Sequence, residues 1–353
     1  MEEFTKSKLM VFPRNVLVGH GVLNDLGSLA DEMGLPPQAV LVTGPRTRDL
    51  AGEQARRVLE AAGYKVALVA AEGATMTEVQ RTEAVARETQ AGFVLGVGGG
   101  SVIDVAKLAA ANVEVPFVSV PTSASHDGIT SPRASIKDTT GSSSKAAKTP
   151  SAIVADTSVI IRAPFRMLAA GCADALSNNT AVLDWRLAHR LRGEEYSSFA
   201  AVLAKTASDM IMENADAIKP NLEEAAWVVV KSLIVSGVSM SVAGSSRPAS
   251  GAEHMFSHTL DRIAPGRAYH GEQVGVGSIL TMYLHGGDWQ SQRDTLRTIG
   301  APTTARELGI PADLIVEALV HAHENKPDRY TILGDKGLTR EAAERLVKVT
   351  GVG

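Results

Sequence analysis

The chain has little of several things. Of its 353 residues, one is cysteine, Cys172, so no disulfide forms within the chain and no multi-cysteine zinc site exists. That suits a reducing compartment. Aromatic residues make up 4%, which favours close helix packing and names no function. No uninterrupted apolar run reaches the ~18 residues expected of a membrane-spanning helix. The opening MEEFTKSKLMVFPRN starts acidic, and its apolar stretch is too short for a secretory signal. No basic run stands out against a net charge of -4. A nucleic acid or an anionic membrane is therefore excluded as the main partner, while small anions are not. The expectation is a cytoplasmic protein with no membrane insertion.

Hydrophobic residues make up 44% and charged residues 21%, enough core for two packed domains. Up to about residue 160, short β-branched runs alternate with helical patterns. Strands are expected at Asn15 to Val18, Ala39 to Val42, Val66 to Val69, Phe93 to Val97, Phe117 to Val120 and Ile153 to Ala155. Continuous apolar strands separated by helices predict a parallel sheet covered on both faces. Between Pro121 and Pro150 the chain turns Ser/Thr-rich, with a turn at Asp138 to Ser142 that predicts a hairpin over the sheet. Beyond Ile161 only 3.6-residue periodicity remains, clearest at Leu187 to Leu203, Glu223 to Val242 and Pro311 to Ala322. The expected fold is an α/β dinucleotide-binding domain, 1–160, then an all-α metal- and substrate-binding domain, 161–353. The cleft between them is the expected ligand site.

Three stretches carry candidate chemistry. LGVGGGSVIDVAK places Gly98, Gly99 and Gly100 where a strand meets a helix, a geometry that brings backbone N–H groups to a phosphate. It lacks the final glycine of a dinucleotide fingerprint, having Ser101 there, and it does not follow the first strand. A plain tight turn is the alternative, with Asp104 favouring the helix end. PTSASHDGITSP, 121–132, is a polar loop at the carboxyl end of a strand, either ligand-binding or an ordinary capped turn. GAEHMFSHTLDRIAPGRAYHGEQ holds three of the nine histidines. His254 and His258 share a helix face, and His270 follows sixteen residues after His254. Three protein ligands with an open position describe a catalytic zinc site. Spacing does not say which histidines bind, nor whether Glu253 and Glu272 are ligands, orienting partners or solvated charges. Asp174, in the Ala-rich AAGCADALSN, is a further candidate ligand or a helix cap at a helix start.

Taken in order, GGGS with Asp104, PTSASHDGITSP, AAGCADALSN and SSRPASGAEHMFSH…YHGEQVGVG resemble the iron-containing alcohol dehydrogenase and glycerol dehydrogenase superfamily. SHDGI, DWRLA at 184–188, SSRPASGAEH and RYTIL at 329–333 narrow the resemblance to its archaeal sn-glycerol-1-phosphate dehydrogenase branch. The resemblance covers essentially the whole chain. It implies one zinc ion per subunit on Asp174, His254 and His270. It implies substrate contacts from Asp127, Asp174 and His258, the three catalytic candidates. Cofactor contacts would come from Gly98, Gly99, Gly100, Ser101 and Val102, from Thr122, Ser123, Ala124 and Ser125, and from Ser131. Some iron-dependent relatives carry another histidine four residues after the metal Asp; Asn178 stands here, which favours zinc.

The implied reaction is reversible reduction of dihydroxyacetone phosphate to sn-glycerol 1-phosphate by NADH or NADPH, supplying the backbone of archaeal membrane lipids. Close alternatives are a glycerol dehydrogenase acting on the unphosphorylated compounds and a dehydroquinate synthase-like lyase. A homo-oligomer is expected. Arg133, Lys137, Lys145, Lys148 and Arg247 are the candidate phosphate donors, with a structural salt bridge as the alternative for Arg247. After the second strand Arg46 and Arg48 follow Thr43-Gly44-Pro45 with no acid to exclude NADP, so use of both cofactors is expected.

Overall fold

The computed structural model describes residues 7–138 and 141–353. Six parallel strands form one sheet: β1 Asn15–Gly19, β2 Gln38–Thr43, β3 Lys65–Ala70, β4 Phe93–Gly98, β5 Phe117–Pro121 and β8 Ala152–Asp156, in the order β1-β8-β5-β4-β2-β3. All six expected strands are present. Their side chains divide by alternation. Leu41, Phe93, Leu95 and Val97 pack into one core, and Val40, Val42 and Val94 into the core on the opposite face. Helices cover both faces, which is why the strands read as unbroken apolar runs.

The strand order positions the glycine loop. From β2 the chain proceeds outward to β3, then returns to β4 on the other side of β2 and continues away from it to β5. A crevice opens where neighbouring connections diverge, and ligands of open α/β sheets sit outside the carboxyl ends of the strands there. Gly98 ends β4 at that place and lies level with Pro121 at the end of β5. The two polar loops of the sequence are thus side by side. The glycine stretch follows the fourth strand because that strand borders the crevice.

Of the helices before β5, α1 Glu53–Ala61 ends at Gly63, whose φ of +90° favours glycine. Helix α2 Met76–Glu88 is opened by Thr75, which accepts a hydrogen bond from the Glu78 N–H at 3.3 Å. Helix α3 Gly100–Asn112 begins inside the glycine loop. Strands β6 Arg133–Asp138 and β7 Gly141–Ala146 form the expected antiparallel pair. The turn at Thr139-Thr140 lies outside the described residues. The pair does not lie over the sheet as expected. Ala134 and Ile136 bury against the side chains of α3, and the hairpin walls the cleft instead.

Past β8 the described residues are helical. Helices α4 Phe165–Leu176, α5 Asn178–Arg192, α6 Ser198–Glu213, α7 Glu223–Ala243, α8 Ala252–Ile263 and α9 His270–Leu284 carry or support the site. The single helix expected over Leu187 to Leu203 is two. Gly193 stops α5 at φ +66°, and Ser197 caps α6 by accepting from the Ala200 N–H. The apolar period continues across the break because both helices bury faces against their neighbours. Helix α7 is long and apolar enough to span a bilayer, but 67% of its most apolar window is buried inside the protein. Its hydrophobic faces are core: Val229, Val230 and Leu233 are fully covered.

Candidate functional site

Two glycines bring the ligand-bearing helices together. A Cβ at Gly171 of α4 would stand 2.1 Å from the Ala124 carbonyl oxygen, and one at Gly271 of α9 would stand 2.0 Å from the Ala170 carbonyl oxygen. Both distances are impossible for a side chain, so the loop after β5, α4 and α9 pack backbone against backbone. Asp174 lies on the last turn of α4 and His270 at the first position of α9. The expected helix start at Asp174 is therefore wrong. The Ala-rich run continues the helix from Phe165, and Asp174 caps nothing.

Asp174, His254 and His270 offer three ligand atoms within 4.8 Å of one another. Asp174 Oδ1 is 3.8 Å from His254 Nε2 and 3.9 Å from His270 Nε2. These are too long for hydrogen bonds. They are close to the separation of three atoms sharing one ion at ~2.0–2.2 Å. Proton bookkeeping agrees. His254 Nδ1 is 3.0 Å from the Glu253 carboxylate, which only accepts, so Nδ1 carries the hydrogen. Ser257 gives its hydrogen to Gln273 Oε1 at 2.7 Å and so accepts from His270 Nδ1 at 3.0 Å. Both Nε2 atoms are left as bare lone pairs aimed at a buried carboxyl. Three acceptors converge with no donor between them. Burial first, and the charge of Asp127 second, push the Asp174 carboxyl up to about 7. A cation at the centre resolves all of this, and the donor set suits zinc.

Glu253 and Glu272 are not in the cluster. Glu253 is fully buried; burial alone would raise its carboxyl, but hydrogen bonds from His254 and the Gly251 N–H hold it below the ordinary range. Glu272 pairs with Arg166 and accepts from the Tyr269 N–H at 2.8 Å, closing the start of α9. His258 stacks on His270 with ring centroids 5.7 Å apart, and its Nδ1 is buried without a partner among the described residues. Burial, then the charge of Lys326, lowers the His258 imidazole to about 3, so it is neutral. Asp127 Oδ2 accepts from Ser236 at 2.8 Å, and Ser236 also meets Asn178.

The cluster faces a cleft of about 890 Å³ whose lining includes Gly100, Ser101, Ser125, Asp127, Ser131 and His258. Thr122, Ser123 and Ala124 lie buried beneath it, and the Val102 side chain is in the sheet core. Ser123 Oγ is buried with no partner among the described residues and sits 3.3 Å from where a Cβ at Gly99 would be. Together with the free N–H groups of α3, this fits a phosphate-bearing cofactor. Asp104 does not favour the helix end as expected: it is buried, 3.5 Å from the Lys107 ammonium, which also donates to the Gly128 carbonyl.

His126 escaped the sequence reading as a site residue. Its ring covers Gly100, where a Cβ would meet Nε2 at 2.0 Å, and its Nδ1 accepts from the Gly128 N–H. It stands between the glycine loop and His270, 6.4 Å from the latter's ring. Its position directly before Asp127 was the available signal. Of the basic candidates, Arg133 and Lys137 line the cleft, while Lys145 and Lys148 do not. Arg247 is spent elsewhere, on Glu194 and on the Tyr330 carbonyl at 2.8 Å. Lys326, in the cleft wall, was missed; a lone lysine in a polar stretch gives no periodic signal.

The segments DWRLA, SSRPASGAEH and RYTIL meet behind the metal cluster. Buried Asp184 accepts from the Ala252 N–H at 2.7 Å, the Ile332 N–H at 2.6 Å and His285 Nε2 at 3.0 Å. Arg329 donates to the Ser250 carbonyl and to Ser246 Oγ.

The model of the iron-containing alcohol dehydrogenase family matches residues 17–164. The NAD(P)+ glycerol-1-phosphate dehydrogenase of Methanosarcina acetivorans is 56% identical over 346 residues, covering 98% of this chain and 97% of that one. The chain belongs to the glycerol-1-phosphate dehydrogenase family. The family member from Thermococcus kodakarensis is 51% identical, covering 98% of both chains. Among solved structures, glycerol dehydrogenase from Schizosaccharomyces pombe shares the fold, with a TM-score of 0.81 at 22% identity over 99% of this chain and 92% of that one. The glycerol-1-phosphate dehydrogenase relatives thus match along the entire length that builds the cleft.

Proposed function

We propose that the chain reduces dihydroxyacetone phosphate reversibly to sn-glycerol 1-phosphate with NADH or NADPH, in the cytoplasm and as a homo-oligomer. The product class is the glycerophosphate backbone of archaeal membrane lipids. One observation carries the reading. A single cleft joins a glycine-loop helix start, an Asp/His/His cluster that needs a cation, and an uncompensated cationic wall, in a chain of this family.

The zinc ion that Asp174, His254 and His270 would hold supplies Lewis acidity to a carbonyl oxygen, and the reduced nicotinamide supplies the hydride. The chain's own residues do the rest. The N–H groups at Gly100 and Ser101 and the Ser123 hydroxyl receive the cofactor's phosphates. Asp127, held by Ser236 and by its own N–H on Asp174, accepts a substrate hydroxyl hydrogen and fixes its orientation. Neutral His258, in the cleft lining, hydrogen-bonds a substrate hydroxyl, while the proton for the new hydroxyl comes from solvent through a water or a neighbouring substrate hydroxyl. Residues 1–160 would bring the cofactor and 161–353 the metal and substrate. Arg48 is paired with Glu53, leaving exposed Arg46 as the cation beside an adenosine 2′-phosphate, in keeping with use of both cofactors.

The test is direct: metal-replete protein, dihydroxyacetone phosphate, each reduced cofactor, and a chiral assay of the product. Oxidation of NADH or NADPH with formation of sn-glycerol 1-phosphate is expected. Faster turnover of unphosphorylated dihydroxyacetone than of its phosphate would replace this reading with a glycerol dehydrogenase.

A further inference from the structure

The cleft carries more positive charge than its acids neutralise. Arg166 is paired with Glu272 and Lys107 with Asp104. Lys137, Arg262 and Arg267 line it as exposed side chains, and three half-buried cations remain in or beside its wall. The Lys326 ammonium makes no ion pair or hydrogen bond among the described residues, and burial, then Arg329 and Arg133, disfavour its charge. Among the described residues Arg133 uses its guanidinium on neutral acceptors of Ser144, Oγ at 3.1 Å and the carbonyl oxygen at 2.8 Å. Arg329 is likewise spent on neutral groups, Ser250 and Ser246. Glu253 and Glu194 act on this group from a distance, but clustered, partly buried cations with no carboxylate in ion-pair contact among the described residues are costly unless an anion joins them.

Position adds a second observation. Lys326 is the charge that acts most on His258, whose Nδ1 is buried and unpartnered. His258 stacks on His270, and His126 lies on the glycine-loop side of His270. The cleft is therefore polar for a cofactor phosphate at Gly100 and cationic at its other flank, with the metal cluster between.

We infer that Lys326, flanked by Arg133, is the seat of the substrate's phosphate and so the determinant that separates phosphorylated from unphosphorylated substrate. The inference rests on the proposed reaction for the identity of the substrate, though the anion seat itself does not. Arg329 acts as a positioning residue, holding the wall through Ser250 and Ser246. Charge-assisted hydrogen bonds to phosphate make the expected loss on removing Lys326 roughly 10–100-fold in affinity.

Steady-state kinetics of the metal-replete wild-type protein and of Lys326→Met, each with dihydroxyacetone phosphate and with dihydroxyacetone, test it. The expected result is a KM for the phosphate raised ~10–100-fold, a much larger change than in kcat or in the activity on dihydroxyacetone. Lys326→Arg should recover most of the loss. An unchanged KM, or an equal loss on both substrates, overturns the inference. Calorimetry with inorganic phosphate gives a readout without turnover. Wild-type binding that Lys326→Met lacks supports the seat even if the proposed reaction fails, and equal binding by both overturns it. Should Lys326→Met not fold, Arg133→Gln carries the same comparison with the same outcomes.

Discussion

The main-chain N–H of Asp127 donates to Oδ2 of Asp174 at 2.9 Å. The loop leaving β5 is thereby fastened to the carboxylate that closes the metal cluster. Asp174 turns Oδ1 to the cluster and gives Oδ2 to the loop, so one side chain ties the Asp/His/His cluster to Asp127.

That arrangement predicts how the protein responds to chelation. Dialysis against EDTA should abolish activity while far-ultraviolet circular dichroism stays near its starting value, and zinc should restore turnover. A metal-free preparation with undiminished activity would exclude metal assistance.

Orientation of His254 depends on Glu253. Glu253→Gln should lower metal affinity ~10–100-fold, measured by competition with a chromophoric chelator. Retained wild-type affinity would mean that the buried carboxylate serves folding alone.

The proposed reaction has His258 touch the substrate and not the metal. His258→Asn should keep one metal ion per chain by elemental analysis while kcat/KM falls ~100-fold. A loss of metal in this variant would make His258 a ligand.

The Lys326 ammonium, depressed to about 7, predicts a pH dependence. A lysine is cationic below its pKa, so kcat/KM for the phosphorylated substrate should fall as pH rises through 7. Of the groups facing it, Arg329, lowered to about 10, stays cationic, Glu253 is held below the ordinary carboxylate range and His258, lowered to about 3, stays neutral; Arg133, Arg247 and His270 face it too. Lys326→Arg should flatten the profile there. A wild-type profile flat from pH 6 to 9 would remove Lys326 titration from binding.

Backbone contact at Gly271 leaves no room for a methyl group. Gly271→Ala should destabilise the protein by roughly 1–3 kcal/mol through overpacking and separate α9 from α4. Thermal unfolding and metal affinity measured together should both fall. An unchanged melting temperature would show that the helices move apart freely.

The sheet was legible because strands buried on both faces have no polar alternation to obscure them. The glycine loop was legible because only close backbone approach calls for Gly98-Gly99-Gly100. The Asp174, His254 and His270 cluster was readable by resemblance alone: Asp174 and His254 are 80 positions apart, and spacing favoured His254 with His258. Gly193 was overlooked because apolar periodicity runs through it, and Arg247 drew attention through its motif although Glu194 neutralises it. Lys326 depends on tertiary burial, which no local pattern records.

Asp184 has a thermodynamic consequence. By accepting from Ala252 and Ile332 it holds a wall drawn from segments about 80 residues apart in a fixed conformation before any ligand arrives. A mobile strap would lose conformational entropy on each encounter, roughly 1–2 kcal/mol per backbone residue ordered. Here that entropy is surrendered once, at folding, and attraction between cation and phosphate remains available as affinity.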